Sequence, residues 1–343
     1  MSTVWARFLD QQGAQRDSQG IALHLGTPPE SAEGDWLFAC DHLTVISLRG
    51  PDSEKFLQGQ LTADMREVSH GLSRLAMHLS LKGRGMVSMR LLPAEDGFDI
   101  LVPHNMAGSL MERLKKYILF SKAEMQFDEQ RVVLGLTGGH ANEALSAAGL
   151  PVPENADSCQ RHDDITLANA GHDTRHLLVL PEQRAIELWP TLAQHQHCGA
   201  ALHARLAEIS AGEAHIQPGS EDLFLPQVLN YDLSHGVSFN KGCYVGQEVV
   251  ARMHFKGKLK QRMQRHRWQG NHNPAPGNTL RNHDGKPIGE VVASVAYADQ
   301  TEALVVIRLD HEGGYGVEMG DELVSMEVKR ISLPYEEGRT SDV

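Results

Sequence analysis

The stretch FNKGCYVGQEVVARM, residues 239–253, is the most informative segment of this sequence for both fold and function. It places Cys243 between Gly242 and Tyr244, with Lys241 before this group and Gly246 after it. Glycines permit tight turns and close backbone approaches that a side chain would block. The residues that follow, GQEVVARM, predict a helix that opens just past the cysteine.

The setting of Cys243 suggests a functional thiol. Free amides near a helix N-terminus, together with Lys241, favour a thiolate over a thiol. A thiolate can serve as a nucleophile, a metal ligand or a redox-active group. The alternative is that the glycines serve a tight turn and the cysteine merely packs, and spacing alone leaves both interpretations open.

Composition sets limits on the class of protein. A chain of 343 residues predicts two or three domains, and its net charge of −12 argues against binding nucleic acid with the whole surface. The four cysteines are scattered with no CxxC pair, which favours a reducing cytoplasm over a disulfide framework. The sequence has no run of 18 apolar residues and no apolar N-terminal signal, so we expect no membrane association.

One basic segment departs from the acidic average. In HFKGKLKQRMQRHRW the basic residues recur mostly at every second position between 256 and 267. On a strand such residues share one face, which predicts either a solvated strand face or an anion site for phosphates or a polyglutamate tail. In HQHC, by contrast, His195 and His197 point to different faces of a helix, so we expect a surface cluster without a metal.

Hydrophobic periodicity predicts a mixed α and β chain. The first 35 or so residues look irregular, and strands flanking LKGRG predict a hairpin. AGSLMERLKKYILFSK predicts an amphipathic helix, and from residue 131 a β-α-β-β-α order is typical of a ferredoxin-like unit. Short strands with turn signals then predict a small antiparallel barrel, followed by a frayed tail, EEGRTSDV.

Four segments together resemble a known family. They are GPDSEKFLQGQLTAD, RLKKYILFSKAEM, FLPQVLNYDLSHGVSFNKGCYVGQEVVARMHFKGKLKQR and the terminal LPY. In this order, from about residue 36 to 336, they resemble the YgfZ-type folate-binding proteins, relatives of the aminomethyltransferase (T-protein) of the glycine cleavage system. The K-G-C-Y-x-G-Q-E core is specific to the YgfZ branch and is formed here by Lys241, Gly242, Cys243, Tyr244, Gly246, Gln247 and Glu248.

The resemblance implies an α+β fold, a three-domain ring like that of the aminomethyltransferase. Its N-terminal folate-binding domain would span 36–130, interleaved with about 200–255. A ferredoxin-like middle domain would span 131–199, and a C-terminal antiparallel β-barrel would span 256–336.

The resemblance also implies a role. The family binds tetrahydrofolate in a central cavity and serves assembly or repair of iron–sulfur clusters, including the cluster of a radical enzyme that thiolates tRNA. The implied partners are folate, iron–sulfur client enzymes and assembly proteins, with only an indirect link to tRNA. One cysteine cannot hold a cluster alone, so we expect no permanently bound cluster. Nothing in the sequence requires more than a cytoplasmic monomer.

In this picture Cys243 lies at the mouth of the folate cavity and engages a client cluster, a persulfide or a partner thiol. Tyr244 and Gln247 would fix the loop, and Arg252 would pair with Glu248 at helical i,i+4 spacing.

Two departures from the relatives bear on activity and cofactor. We align Val87 and Ser88 with the carboxylate pair of the T-protein, and neither serves as a general acid or base, which argues against its transfer chemistry. Ser210 stands where a pterin-clamping glutamate is expected, which removes hydrogen bonds worth about 1.5–3 kcal/mol. The remaining pocket candidates, which also suit a helix end with an Asx-type turn, are Gln60, Thr62 and Asp64.

Two other functions remain alternatives. One is a tetrahydrofolate-dependent aminomethyltransferase with a relocated catalytic group. The other is a direct tRNA-binding protein that uses the basic segment at 256–267, although the net charge of −12 argues against it.

Overall fold

The computed structural model describes residues 3–171 and 175–336, and within these ranges the chain forms eight α-helices and twenty strands. The helices are α1 (Thr3–Gln11), α2 (Ser53–Gln58), α3 (Met65–Ser69), α4 (His104–Ile118), α5 (Ala141–Ala147), α6 (Glu182–Leu192), α7 (Ala201–Ala211) and α8 (Gln247–Lys256). The strands of the first half are β1 (Ala14–Arg16), β2 (Ala22–Leu25), β3 (Trp36–Ala39), β4 (Leu43–Arg49), β5 (Arg74–Leu79), β6 (Gly85–Ala94), β7 (Gly97–Pro103), β8 (Glu124–Phe127), β9 (Arg131–Thr137), β10 (Cys159–His162) and β11 (Ile165–Asn169). Those of the second half are β12 (His176–Pro181), β13 (His197–Gly199), β14 (Gln261–Gln269), β15 (Thr279–Arg281), β16 (Pro287–Tyr297), β17 (Gln300–Arg308), β18 (Tyr315–Met319), β19 (Glu322–Met326) and β20 (Val328–Ile331).

A five-stranded antiparallel sheet forms the N-terminal unit, in the order β5-β6-β7-β4-β8. The predicted hairpin is confirmed, since β5 and β6 pair and the amide of Ser80 donates to the carbonyl of Arg84 across the turn. The predicted amphipathic helix is α4, which buries Met106, Leu110 and Leu114. These apolar residues at 3.6-residue spacing place one side of α4 in the core.

A six-stranded sheet forms the middle unit, in the order β10-β11-β12-β9-β3-β13. The predicted β-α-β-β-α order corresponds to β9, α5, β11, β12 and α6, with the short β10 strand added at the edge. Strand β3, which belongs to the segment 36–130 in the sequence, pairs with β9, and β13 runs parallel to β3. The middle sheet is therefore completed by chain from before and after it.

The N-terminal segment is not irregular, and that expectation is wrong. It forms α1 and the β1–β2 ribbon, and Trp5 and Leu9 of α1 are buried. The rings of Trp5 and Trp189 lie 6.0 Å apart edge to face, which fixes α1 against α6. Trp5, Phe8 and Leu9 recur at helical spacing, and this signal was available in the sequence.

A seven-stranded antiparallel sheet closes the chain in the order β19-β18-β15-β16-β17-β14-β20, curled into a half-barrel. One face of this sheet shares a hydrophobic core with the five-stranded sheet, because Met263, Tyr297 and Leu304 pack in the same cluster as Met77 and Ile100. The predicted tail lies almost wholly outside the described residues, which end at 336.

Candidate functional site

The loop that carries Cys243 is pressed against the β5–β6 hairpin. Gly246 directly precedes α8 and has a φ of +79°. A Cβ atom at this position would lie 2.5 Å from the carbonyl oxygen of Ser80 and 3.0 Å from the Cβ of Leu79. Both the left-handed backbone and the close approach therefore require glycine.

The hairpin side of this contact is equally tight. A Cβ at Gly83 would lie 2.8 Å from the Cβ of Val249 and 3.1 Å from the carbonyl oxygen of Gly246. The first turn of α8 and the hairpin thus meet through two glycines, against which the side chains of Val249 and Leu79 pack. This contact fixes where the cysteine loop ends and α8 begins.

Lys241 anchors one end of the cysteine loop. Its Nζ donates to the carbonyl oxygens of Leu61 and Ala63, each at 2.7 Å, and lies 5.0 Å from the centre of the Tyr244 ring. Burial, only partly opposed by Asp64, lowers the pKa of the Lys241 ammonium to about 7. The lysine therefore ties the loop to the turn after α2, and its ammonium is bound to backbone carbonyls.

Tyr244 and Gln247 hold the loop on its other side. The amide of Tyr244 donates to Oε1 of Gln247 at 3.3 Å, and the amide of Gln247 donates back to the carbonyl of Tyr244 at 3.2 Å. The Tyr244 side chain is buried, and that burial raises its pKa to about 12. The phenol stays protonated at neutral pH, so Tyr244 acts here as a packing group.

Between these anchors Cys243 is exposed to solvent. Gly242 is exposed too, has no positive φ, and no atom lies within 4 Å of a Cβ added there. Gly242, unlike Gly246, is therefore not required by sterics. The expected ion pair is absent: Glu248 and Arg252 both lie exposed in the described part of α8 without an N···O contact within 4.0 Å.

Two of the three predicted pocket residues have structural partners. Thr62 is fully buried, where its Oγ1 donates to the carbonyl of Gly236 at 2.6 Å and accepts from the amide of Met77 at 2.9 Å. Asp64 caps α3 by accepting from the amide of Arg66, and hydrogen bonds from that residue's side chain lower its pKa to about 2. Gln60 differs, because its Oε1 is buried without a hydrogen-bond partner among the described residues.

Ser210 lines a cavity where the three sheets meet. The cavity has a larger part of about 710 Å³ and a smaller part of about 180 Å³, which share the wall residues Ala170, Gly171 and Ala211. Ser210 and Arg265 contribute to the larger part. These volumes together fall in the range of sites for small organic ligands, about 300–1,000 Å³.

The cysteine loop lies away from this cavity. Strand β5 links the two places: Arg74 and Leu75 at its start line the smaller part, whereas Leu79 at its end contacts Gly246. Five residues of strand span about 16 Å. Residues 239–248 line neither part, so the expectation that Cys243 lies at its mouth is not met for this cavity.

A buried charge network in the cavity wall gave no local signal in the sequence. Glu213 accepts from Nε of Arg90 at 3.1 Å and from Nη2 of Arg90 at 2.7 Å, and it also accepts from Arg175. Burial alone would raise the pKa of Glu213, but the charges of Arg175 and Arg90 outweigh it and hold that pKa well below its usual value. The network joins β6, the segment after α7 and the start of β12 across the cavity.

His215 extends this network. Its Nδ1 lies 3.3 Å from Oγ of Ser88, and its Nε2 lies 3.4 Å from Glu213. Burial disfavours the charged imidazole, but the hydrogen bond of Glu213 and the charge of Glu208 outweigh it and raise the pKa of His215. Ser88 is fully buried and its Oγ also accepts from the amide of Ile216, so it is no accessible nucleophile or acid.

The cavity wall has hydrogen-bonding capacity that suits a pterin. Asn169 and His176 line the larger part, and Oδ1 of Asn169 and Nδ1 of His176 are buried without a partner among the described residues. Burial lowers the pKa of His176 to about 4, so its ring is neutral and Nδ1 is an acceptor when Nε2 donates to Asn142 at 2.7 Å. Acceptors of this kind match the N–H groups of a pterin ring.

The arginines of the basic segment are neutralised within the fold. Glu302 is fully buried and accepts from Arg265 and Arg267. Arg262 binds both carboxylate oxygens of Asp232, at 3.1 and 3.0 Å. The three arginines therefore form internal ion pairs, which argues against an anion site at these residues. The predicted single strand face is wrong, because β14 begins at Gln261 and Lys256, Lys258 and Lys260 precede it.

No group of three or more histidine, cysteine or acidic side chains is placed to hold a metal ion in residues 3–171 and 175–336. In the same ranges no helix is long and apolar enough to cross a membrane.

Comparisons with known proteins agree with this architecture. No protein-family model matches the chain. A tRNA-modifying protein YgfZ from Pectobacterium carotovorum is 31% identical over 245 residues, which are 71% of this chain and 74% of that protein. One of the same name from Escherichia fergusonii is 30% identical over 306 residues, 88% of this chain and 94% of that protein.

A solved structure shows the same fold at lower identity. The glycine cleavage system aminomethyltransferase T from Bartonella henselae superposes with a TM-score of 0.75 at 20% identity, over 96% of both chains. This likeness establishes an aminomethyltransferase-like fold, and the identity to the two relatives extends over most of their length. The chain belongs to the YgfZ family.

Proposed function

We propose that this chain is a folate-binding factor for assembly or repair of iron–sulfur clusters in client enzymes, and that it supports tRNA modification indirectly. The observation that carries the proposal is the exposed thiol of Cys243 on a loop anchored by Lys241, Gln247 and Gly246. The name of its relatives, tRNA-modifying protein, supports a link to that process. A single thiol does not hold a cluster by itself, so the cluster is cargo.

The anchored loop determines what Cys243 does in this proposal. The exposed sulfur of Cys243 is accessible to an iron atom that a client presents and, as a thiolate, would bind it. Lys241 and Gln247 restrict the loop, so little conformational entropy is lost when the client binds. Release follows when a client thiolate replaces the Cys243 sulfur on the iron.

Tetrahydrofolate would occupy the central cavity in this proposal. Asn169 and His176 would accept from the pterin ring, and Ser210 would supply only a hydroxyl where the family resemblance implies a carboxylate. The lost hydrogen bonds to a charged acceptor correspond to roughly a ten- to hundredfold weaker affinity. We therefore expect folate to bind weakly in the cavity where the three large sheets meet.

The side chains give the two alternatives less support. An aminomethyltransferase needs a carboxylate near the folate, but the position aligned with the T-protein pair holds buried Ser88. Glu213, a carboxylate in the cavity wall, is bound by Arg90 and Arg175. Of the six lysines and arginines at 256–267, the three arginines are engaged in internal ion pairs, and the chain as a whole is acidic.

The test uses cells that lack the protein and a cluster-dependent tRNA-thiolating enzyme as reporter. We expect the unmodified chain to restore thiolated tRNA and the iron content of that enzyme, and Cys243→Ala to restore neither. Cys198→Ala, a partly buried cysteine in β13, is the matched control and should restore both. Full restoration by Cys243→Ala would disprove the role of the thiol.

A further inference from the structure

The surface around Cys243 combines exposed apolar side chains with a concentration of positive charge. We define the Cys243 surface as residues 81–85 of the hairpin and 239–260 of the loop and α8. Leu81 at the hairpin tip is 87% exposed, and Phe255 in the last turn of α8 is 70% exposed. Exposed apolar side chains that are surrounded by charged residues and form one patch are typical of an interaction site.

The apolar part of this surface is held in place. The ring of His254 stacks on Phe239 with the centroids 3.7 Å apart, and Phe255 lies edge-on to His254 at 4.8 Å. Phe239 itself packs partly against the main core. Phe255 is therefore presented outward from a stacked base, as an anchor residue of an interface is.

The two apolar residues belong to elements that contact each other. Gly83, two residues beyond Leu81, touches Val249 on the first turn of α8. Phe255 follows Val249 by six residues, which corresponds to about 9 Å along a helix. An interface that covers about 800 Å² on each partner is wide enough to contain Leu81, Cys243 and Phe255 together.

The charge of this surface is opposite to that of the chain. It contains seven lysines and arginines and one glutamate, a net charge of +6 in a chain of net charge −12. Lys241 is buried, and the other six are exposed. Lys82 pairs with Asp222, and the other five have no ion pair among the described residues: Arg84, Arg252, Lys256, Lys258 and Lys260.

We propose that the Cys243 surface docks a partner protein whose contacting face carries aspartate and glutamate around an apolar centre. The complementary charge would steer the encounter and orient the partner, and Leu81 and Phe255 would supply buried area. An RNA partner fits less well, because Leu81 offers no ring for stacking and the chain as a whole is acidic. The inference rests on the proposed function, since the partner would be the client or assembly protein that meets Cys243.

The test places a photo-cross-linking phenylalanine derivative at Leu81 or at Phe255 of the full chain in living cells. The matched control position is Leu119, which is 76% exposed and lies beside Lys115 and Lys116 at the end of α4. We expect one discrete protein adduct from Leu81 and Phe255 and none from Leu119. We also expect the cross-linked peptide of the partner to be rich in aspartate and glutamate.

A charge reversal then tests the electrostatic part. Lys256, Lys258 and Lys260 are exposed and unpaired among the described residues, so their joint change to glutamate should leave thermal unfolding unchanged and lower adduct yield at least about tenfold. The docking surface would be refuted if Leu119 gave the same adduct as Leu81 and Phe255, or if the adduct yield stayed the same after the charge reversal. An adduct to RNA, or no adduct at all, would refute it as well.

Failure of the docking surface is distinguishable from failure of the proposed function. An acidic partner that holds no iron–sulfur cluster would retain the docking surface and refute the proposed function. Loss of reporter activity in Cys243→Ala, without any adduct at Leu81 or Phe255, would support the proposed function and refute the docking surface.

Discussion

Gly246→Ala tests the contact that positions the cysteine loop. The new methyl group would lie 2.5 Å from the carbonyl oxygen of Ser80 and 3.1 Å from the Cα of Gly83, in a residue with a φ of +79°. A left-handed conformation costs about 1–2 kcal/mol for alanine, and overpacking adds about 1–3 kcal/mol. Because the clashing atoms include backbone, we expect a free energy of unfolding lower by about 2–5 kcal/mol.

Gly242→Ala is the matched control on the other side of the thiol. No atom lies within 4 Å of its added Cβ and its φ is not positive, so we expect a change within about 0.5 kcal/mol. Hydrogen exchange would follow the amides of 79–85 and 243–249, with thermal unfolding measured alongside. Faster exchange in both segments is expected for Gly246→Ala alone. Equal stability and exchange in the two variants would refute the contact.

Three further predictions concern charge. Lys241 has a pKa of about 7 in the folded chain, against an ordinary value of 10.5. Between these pH values the unfolded chain binds one more proton than the folded chain. The free energy of unfolding should therefore rise with pH across this window. Lys241→Met should abolish the rise in urea-unfolding titrations, and an unchanged slope would contradict it. Arg90→Met removes one partner of buried Glu213 and should lower the free energy of unfolding by about 3–5 kcal/mol, whereas exposed Arg84→Met should cost far less. Glu302→Gln weakens the bonds to two arginines and should lower the melting temperature, so an unchanged melting temperature would count against that buried cluster.

Periodicity in the sequence predicted several of the strands and helices. The hairpin formed by β5 and β6 and the helix α4 were predicted because their apolar residues recur with the periods of a strand and a helix. The helix α1 was missed because its short apolar set, Trp5, Phe8 and Leu9, lies among polar residues in a segment with many turn formers. Packing against Trp189, 184 residues away, stabilises that helix and is invisible to local pattern.

The sequence likewise predicted only part of the candidate site. The sequence located Cys243 and its glycines, but it did not separate Gly246, which the backbone requires, from Gly242, which has open space. The sequence suggested that Lys241 favours the thiolate of Cys243. In the structure, the ammonium of Lys241 donates instead to the carbonyls of Leu61 and Ala63. Such partners are fixed by tertiary contacts between segments about 180 residues apart.

The charged residues at the cavity illustrate the same limit. Glu213, Arg90 and Arg175 are far apart in sequence and resemble ordinary surface charges, so only the fold reveals that they are buried together. The sequence left the role of the basic segment open, because only the fold shows that Arg265 and Arg267 bind a buried glutamate on a neighbouring strand. Which charges are free and which are paired is decided by strand register.

The most direct test of the proposed role is calorimetric titration of the full chain with tetrahydrofolate, with Ser210→Glu measured in parallel. We predict micromolar binding by the unmodified chain and roughly ten- to hundredfold tighter binding once the carboxylate is supplied at the cavity wall. Absence of binding by the unmodified chain would contradict a folate-linked function, even if the glutamate restored it.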